Sequence, residues 1–273
     1  MCDESDYESL AYEYFCNARK DGIHHAELFF DIQVHTSRSI PRETVVNGLL
    51  KGCKKAKQEL GISSDLIVCF VRHEDETSAL KEFAALEKYF DSGDIIGIGL
   101  DSAEVPFPPE QFSRLYAEAQ KKGLRRCAHA GEEGPAAYVR TVLEDLKVHR
   151  VDHGIRSIED LELCRQLAER RIPLTVCPLS NIKLRCLPSM AHSPIPKFIE
   201  MGICVTINSD DPAYFGGYLL DNMLALQREF GWGRETWERL CLNGIEASFC
   251  GEARKEELKA ALDRAIKRFN ASL

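Results

Sequence analysis

The chain has 273 residues, of which 44% are hydrophobic and 29% charged, and a formal net charge of −8. These values exclude a fibrous repeat and extended disorder. The acidic balance argues against a nucleic-acid surface, and no run reaches the roughly 18 apolar residues of a membrane span. The opening Met-Cys-Asp-Glu-Ser-Asp lacks both the basic start and the apolar core of a signal peptide, so the expected setting is the cytoplasm, with the nucleus as a further one.

The elements follow a repeated order of amphipathic helix, short break, apolar strand. Tyr7, Leu10, Ala11, Tyr14, Phe15 and Ala18 fall at helical spacing, and Gly22 precedes the strand-like Ala26 to Phe30. Val45, Leu49 and Leu50 open the next helix, Gly61 closes its region, and Leu66 to Val71 reads as a strand. A helix over about 78–89 leads to the strand Ile95 to Leu100. The stripe Phe112, Leu115, Tyr116 and Ala119 ends at Gly123, before the strand Arg125 to Ala130. Further strands fall near Arg150 to His153, Pro173 to Cys177 and Cys204 to Asn208. Three helical stretches, about 219–230, 234–249 and 254–270, close the chain.

The seven strands start about 30 residues apart, the length of one βα unit of a TIM barrel. Apolar strands alternating with helices imply a parallel sheet with both faces covered. A doubly wound open sheet is the main competitor, weakened by the lack of Gly-x-Gly-x-x-Gly after the first strand. The predicted fold is α/β, a TIM (β/α)8 barrel lacking its first βα unit and carrying additional C-terminal helices. The whole of 1–273 is then one domain, truncated at its N-terminus, with two strand edges exposed. Eleven cysteines, an odd number with no Cys-x-x-Cys pair, read as reduced and structural.

In such a barrel the chemistry comes from the C-terminal ends of several strands. Those positions hold His129 and Glu132 in Cys-Ala-His-Ala-Gly-Glu-Glu-Gly-Pro, His153 in Val-Asp-His-Gly-Ile-Arg, and Asp210 with Asp211 in Asn-Ser-Asp-Asp-Pro. Singly, each is an ordinary turn residue. Together, imidazoles and carboxylates at three strand ends suit a mononuclear metal hydrolase. Zn²⁺ lowers the pKa of a bound water to roughly 7, while a nearby carboxylic acid delivers a proton. Alternation along a strand gives Asp210 and Asp211 different partners.

With these motifs the chain resembles the adenosine and adenine deaminase family of zinc amidohydrolases, from about residue 6 to about residue 265. The resemblance implies zinc ligation by His129 and Asp210. It implies an acid at Glu132 that protonates the ring nitrogen beside the reacting carbon, a histidine at His153 that positions the attacking water, and a carboxylate at Asp211 that contacts water and purine. Within the family, Ile-Gly-Leu-Asp-Ser-Ala-Glu (98–104), Phe-Phe-Asp-Ile-Gln-Val-His-Thr (29–36) and Cys-Pro-Leu-Ser-Asn-Ile-Lys-Leu (177–184) are similar to the adenine branch. Ser102 and Glu104 are then expected beside the base.

The implied activity is zinc-dependent deamination of adenine to hypoxanthine and ammonia in purine salvage, with a small-molecule purine as partner. Adenosine deamination and a catalytically inactive purine- or partner-binding relative are the alternatives, and self-association through the strand edges or C-terminal helices is open to the chain. Family members carry His-x-His on the first strand for two further zinc ligands. None of the eight histidines here has that spacing, so one Zn²⁺ per chain would lack two family ligands and activity is expected to be impaired.

Overall fold

The computed structural model describes residues 1–271. Seven parallel strands form one sheet in chain order: β1 (His25–Asp31), β2 (Ser63–Val71), β3 (Gly97–Asp101), β4 (Arg125–Ala130), β5 (Arg150–His153), β6 (Leu174–Val176) and β7 (Val205–Ile207). Each crossover moves one place in the same direction, so the order never reverses as a doubly wound sheet requires. Side chains from strands three and four places apart show that the sheet curls. Arg150 of β5 pairs with Glu27 of β1, and the ring of Phe29 on β1 lies 6.2 Å from that of His129 on β4. Among the described residues β1 and β7 are the sheet's two edges, and a cavity of about 750 Å³ opens between them. The architecture is the expected α/β half-barrel with extra C-terminal helices.

The outer layer starts with α1 (Glu4–Lys20), which buries Tyr7, Ala11, Phe15 and Ala18 along one stripe. After the short α2 (Ile32–Thr36), α3 (Arg42–Leu60) packs against α1 with backbones in close approach. Gly48 and Gly52, one turn apart, make that approach: a Cβ on Gly48 would stand 2.6 Å from Tyr7 Cβ, and one on Gly52 2.7 Å from Ala11 Cβ. The next crossovers are α4 (Glu76–Ala85) with α5 (Glu87–Ser92), α6 (Ser113–Lys121), α7 (Ala136–Glu144) and α8 (Leu161–Glu169). The region expected as one helix over 78–89 is broken at Leu86, which is fully buried and serves as both C-cap and N-cap.

Between β6 and β7 lie α9 (Pro178–Lys183) and α10 (Ile195–Glu200), and the chain ends in α11 (Pro212–Phe215), α12 (Leu219–Phe230), α13 (Arg234–Ala247) and α14 (Glu252–Asn270). The last helices tie down the open side of the sheet. Arg254 on α14 donates to the His24 carbonyl (2.6 Å) and to Ser63 Oγ (2.9 Å), at the starts of β1 and β2. Asp21, just past α1, accepts from the Leu220 N–H of α12 at 3.0 Å.

Within the barrel, Glu27 also accepts from the Phe249 N–H, and the Arg150 guanidinium lies 4.0 Å over the Phe249 ring. Burial pushes the Glu27 pKa up, but Arg150, His25 and the Phe249 N–H outweigh it and hold the carboxyl at about 2. A depressed pKa gives stability that is complete above about pH 4.5, the ordinary value, and fades as the pH falls toward 2.

Two outcomes are expected in urea unfolding. Glu27→Gln, which strands Arg150 in the interior, should cost about 3–5 kcal/mol at neutral pH, and the difference from the parent should shrink below pH 4. Gly52→Ala should cost about 1–3 kcal/mol through overpacking; an unchanged midpoint would mean that α1 and α3 shift apart freely.

Candidate active site

The polar side chains picked out by sequence gather at the C-terminal ends of the strands. His129 is the fifth residue of β4, and Glu132 follows in the turn over 131–134. His153 ends β5, and Asp210 and Asp211 lie just past β7. The rings of His129 and His153 meet edge to face with centroids 4.6 Å apart. His153 Nδ1 lies 3.3 Å from Glu132 Oε1, and its Nε2 lies 3.9 Å from Asp210 Oδ2. His153 and Glu132 are buried, at 2% and 7% exposure, whereas Asp211 is exposed at the mouth.

The backbone is held in an unusual state at these ends. His153 (φ 62°), Asp210 (φ 55°) and Ser102 (φ 70°) are left-handed without being glycine. A Cβ makes that region costly, and single outliers of this kind collect where side-chain aim matters more than backbone comfort. For Asp210 and Asp211 this replaces the expected reason for their divergence. β7 stops at Ile207, so pleat alternation does not reach them. A left-handed turn aims Asp210, and Asp211 is the N-cap of α11.

Several groups at the site were not read from the sequence. Asn181 on α9 is fully buried and donates through Nδ2 to Glu132 Oε1 at 2.6 Å. Its motif was visible, and the Pro178 that opens α9 right after β6 was the available sign of a helix there. Asp152 lies 3.4 Å from His129 Nδ1 and accepts from Thr175 at 2.9 Å. Asp31, at the end of β1, has a carboxylate oxygen within 4.8 Å of one on Asp101, at the end of β3, and burial together with the neighbouring Asp31 drives the Asp101 carboxyl well above its usual range.

Ser102 sits at the exposed rim, with its hydroxyl 3.0 Å from His73 Nδ1. Glu104 is 1% exposed and does not face the opening. Its carboxylate accepts the N–H groups of Gly131 (3.0 Å), Glu132 (3.0 Å) and Gly134 (2.8 Å). A contact of Glu104 with a base would therefore share these oxygens with the amides of the turn.

A family of this chemistry implies zinc, and the residues present fit it in kind. Asp31 Oδ1, Asp101 Oδ1, His129 Nδ1 and Asp152 Oδ2 are buried without a hydrogen bond, so anionic and imidazole groups converge unsatisfied at one place. Asp152 beside Nδ1 orients the His129 ring as carboxylates orient ligating histidines, leaving Nε2 as its other donor atom. Burial lowers the His129 pKa, but Asp152, Asp101 and Asp210 outweigh it and raise it to about 10, a measure of how strongly the pocket favours positive charge. Donor atoms of His153, Cys177 and Asp210 also lie within 4.8 Å of one another.

Comparison with known proteins agrees with the geometry. The family model described as "Adenosine deaminase" matches residues 1–265. The adenine deaminase of Schizosaccharomyces pombe is 46% identical over 275 aligned residues, covering 100% of this chain and 75% of the relative. The crystal structure of an adenine deaminase from Arthrobacter aurescens superposes with a TM-score of 0.95 at 42% identity, over 98% of this chain and 81% of that one. An amidohydrolase from Burkholderia ambifaria with bound Zn superposes at 0.90 and 30% identity, over 100% of this chain and 76% of that one. Motifs, curled parallel sheet and strand-end cluster thus converge on one assignment: the chain belongs to the adenosine and adenine deaminase family of zinc-dependent amidohydrolases, hydrolases of the carbon–nitrogen bond of a cyclic amidine.

Proposed function

We propose that the chain deaminates adenine to hypoxanthine and ammonia, and that Glu132, His153 and Asp211 carry the reaction. The observation that carries this reading is the buried contact of Glu132 with both His153 and Asn181, beside Asp210, at the mouth of a half-barrel. The adenine relatives at 46–49% identity over nearly the whole chain support the base rather than the nucleoside as substrate.

The chemistry needs a proton delivered and a proton taken at one carbon. Glu132 gives a proton to the ring nitrogen beside C6, which makes that carbon electrophilic. His153 orients the attacking water and takes a proton from it as the oxygen bonds to C6. The C6–N bond then breaks, the amino group leaving as ammonia with the proton that His153 took, while the remaining proton on the oxygen returns to Glu132 and leaves the carbonyl of hypoxanthine. Asn181 holds Glu132 toward His153 throughout. Asp211, which lines the cavity and is exposed, contacts purine and water. His129 and Asp210 would hold the zinc. Bound there, it supplies Lewis acidity and a water of lowered pKa.

His129 and Asp210 are two donors where catalytic zinc usually has three, so these 273 residues taken by themselves are expected to hold metal weakly and to turn over below the relatives. Metal analysis after dialysis should find well under one zinc per chain; tight stoichiometric zinc would overturn this part of the proposal. With added zinc, ammonia release should be faster from adenine than from adenosine, and the reverse preference would assign the nucleoside branch. Glu132→Gln should reduce that release by about 10²–10⁴-fold while adenine binding, followed by calorimetry, persists.

A further inference from the structure

We infer that Glu104 and Arg72 form a buried clamp that positions the acid-bearing turn over 131–134, which makes both of them positioning residues. The inference rests on the proposed role of Glu132 only for its catalytic consequence; the clamp itself is read from geometry.

The turn over 131–134 reverses the chain directly after β4, and four polar contacts fix it from behind. Arg72, just past β2, is fully buried and donates from Nη2 to the His129 carbonyl at 3.0 Å. Glu104 collects the amides of Gly131, Glu132 and Gly134, as a bound anion fills a nest of N–H groups. The grip is reciprocal, because the Glu104 N–H donates to the Glu133 carboxylate at 3.2 Å. On the outer side, Arg156 donates from Nη1 to the Glu133 carbonyl at 2.7 Å, and its own N–H donates to the Gly131 carbonyl at 2.8 Å.

Three successive features of the sequence make sense only with this clamp in place. Gly131 has φ +72°, which the reversal requires. A Cβ on Gly134 would run into Tyr138 Cδ2 and stand 2.6 Å from Glu104 Oε2, so glycine makes room for both the ring and the carboxylate. Glu104 and Arg72 are each buried to 1% or less, and neither reaches solvent that would otherwise neutralise it. Arg72 Nε and Nη1 have no hydrogen bond, and burial lowers the pKa of the guanidinium, with Glu104 the largest of the nearby groups that oppose this. The result is a Glu132 whose backbone is fixed from one side while its side chain faces His153 and Asn181 on the other. The loop that carries Ser102 is thereby locked to the loop that carries the acid.

Amide hydrogen exchange on the full chain tests this. In Glu104→Gln, protection of Gly131, Glu132 and Gly134 should fall at least about tenfold, with α1 and α3 unchanged and Glu104→Asp retaining part of it. Where ammonia release from adenine is measurable, kcat should fall with KM within about twofold of the parent. Unchanged protection at the three amides would overturn the clamp, as would a raised KM with kcat intact, which would make Glu104 a base-contacting residue instead. If Glu104→Gln fails to fold, Glu133→Ala decides the matter from the exposed side. The Glu104 amide and the turn amides should then exchange faster together, and a turn that stays locked while the Glu104 amide is released would overturn the reciprocal grip. Absence of turnover in the parent bears on the proposed function and leaves the exchange result to judge the clamp.

Discussion

A single buried ion pair, Glu27 with Arg150, crosses the interior between β1 and β5 and keeps the curl of a sheet that does not close on itself. Among the described residues the two edge strands share no ladder, so the curvature cannot come from circumferential hydrogen bonding as it does in a complete barrel. An ion pair of this kind is poor evidence for net stability, because desolvation consumes most of its attraction. Its value here is geometric. It fixes how far β1 stands from β5, and therefore how far the Phe29 and Asp31 end of β1 stands from the histidines of β4 and β5. The site above inherits its dimensions from a pair of charges below it.

Above that pair, the structure moves from regularity to exception. The lower parts of the strands are regular, paired in parallel register. At the upper ends the regular pattern stops, and left-handed residues, reversals and backbone-clasping side chains take over. His153 and Asp210 are aimed by their own strained backbones, whereas Glu132 is aimed by a neighbouring loop that holds its amides. Rigid strands set position to within a turn, and local exceptions set direction.

Much of this was legible in the sequence, for a physical reason. Parallel strands buried on both faces must be short apolar runs, so Leu66 to Val71 and Arg125 to Ala130 stand out against the helices around them. The abrupt polar residue after each run marks where the strand meets the opening, which is how His129, His153 and Asp210 were found. What was not legible lacks a periodic signature. α2 is five residues long, too short for a helical stripe, and Asn181 is one amide within a loop-like stretch. Arg72 carries no signal of its own and Glu104 reads as a neighbour of the base, since nothing in a linear sequence shows that a cation after one strand and a carboxylate after the next close on the same turn. Partners brought together only by the fold are the part of a site that a sequence hides best.

The left-handed backbone at Ser102, His153 and Asp210 carries a consequence for how such a protein drifts under selection. A glycine at Ser102 or Asp210 would relax the backbone and, in a screen that rewards heat resistance alone, would be enriched, whereas at the buried His153 the cavity left behind would outweigh the strain relieved. Each such gain would erase a side chain from the mouth of the barrel. Thermal endurance and chemical competence are therefore opposed at Ser102 and Asp210 and aligned at His153, so variants chosen blindly for the first should lose the second at the more exposed strand ends.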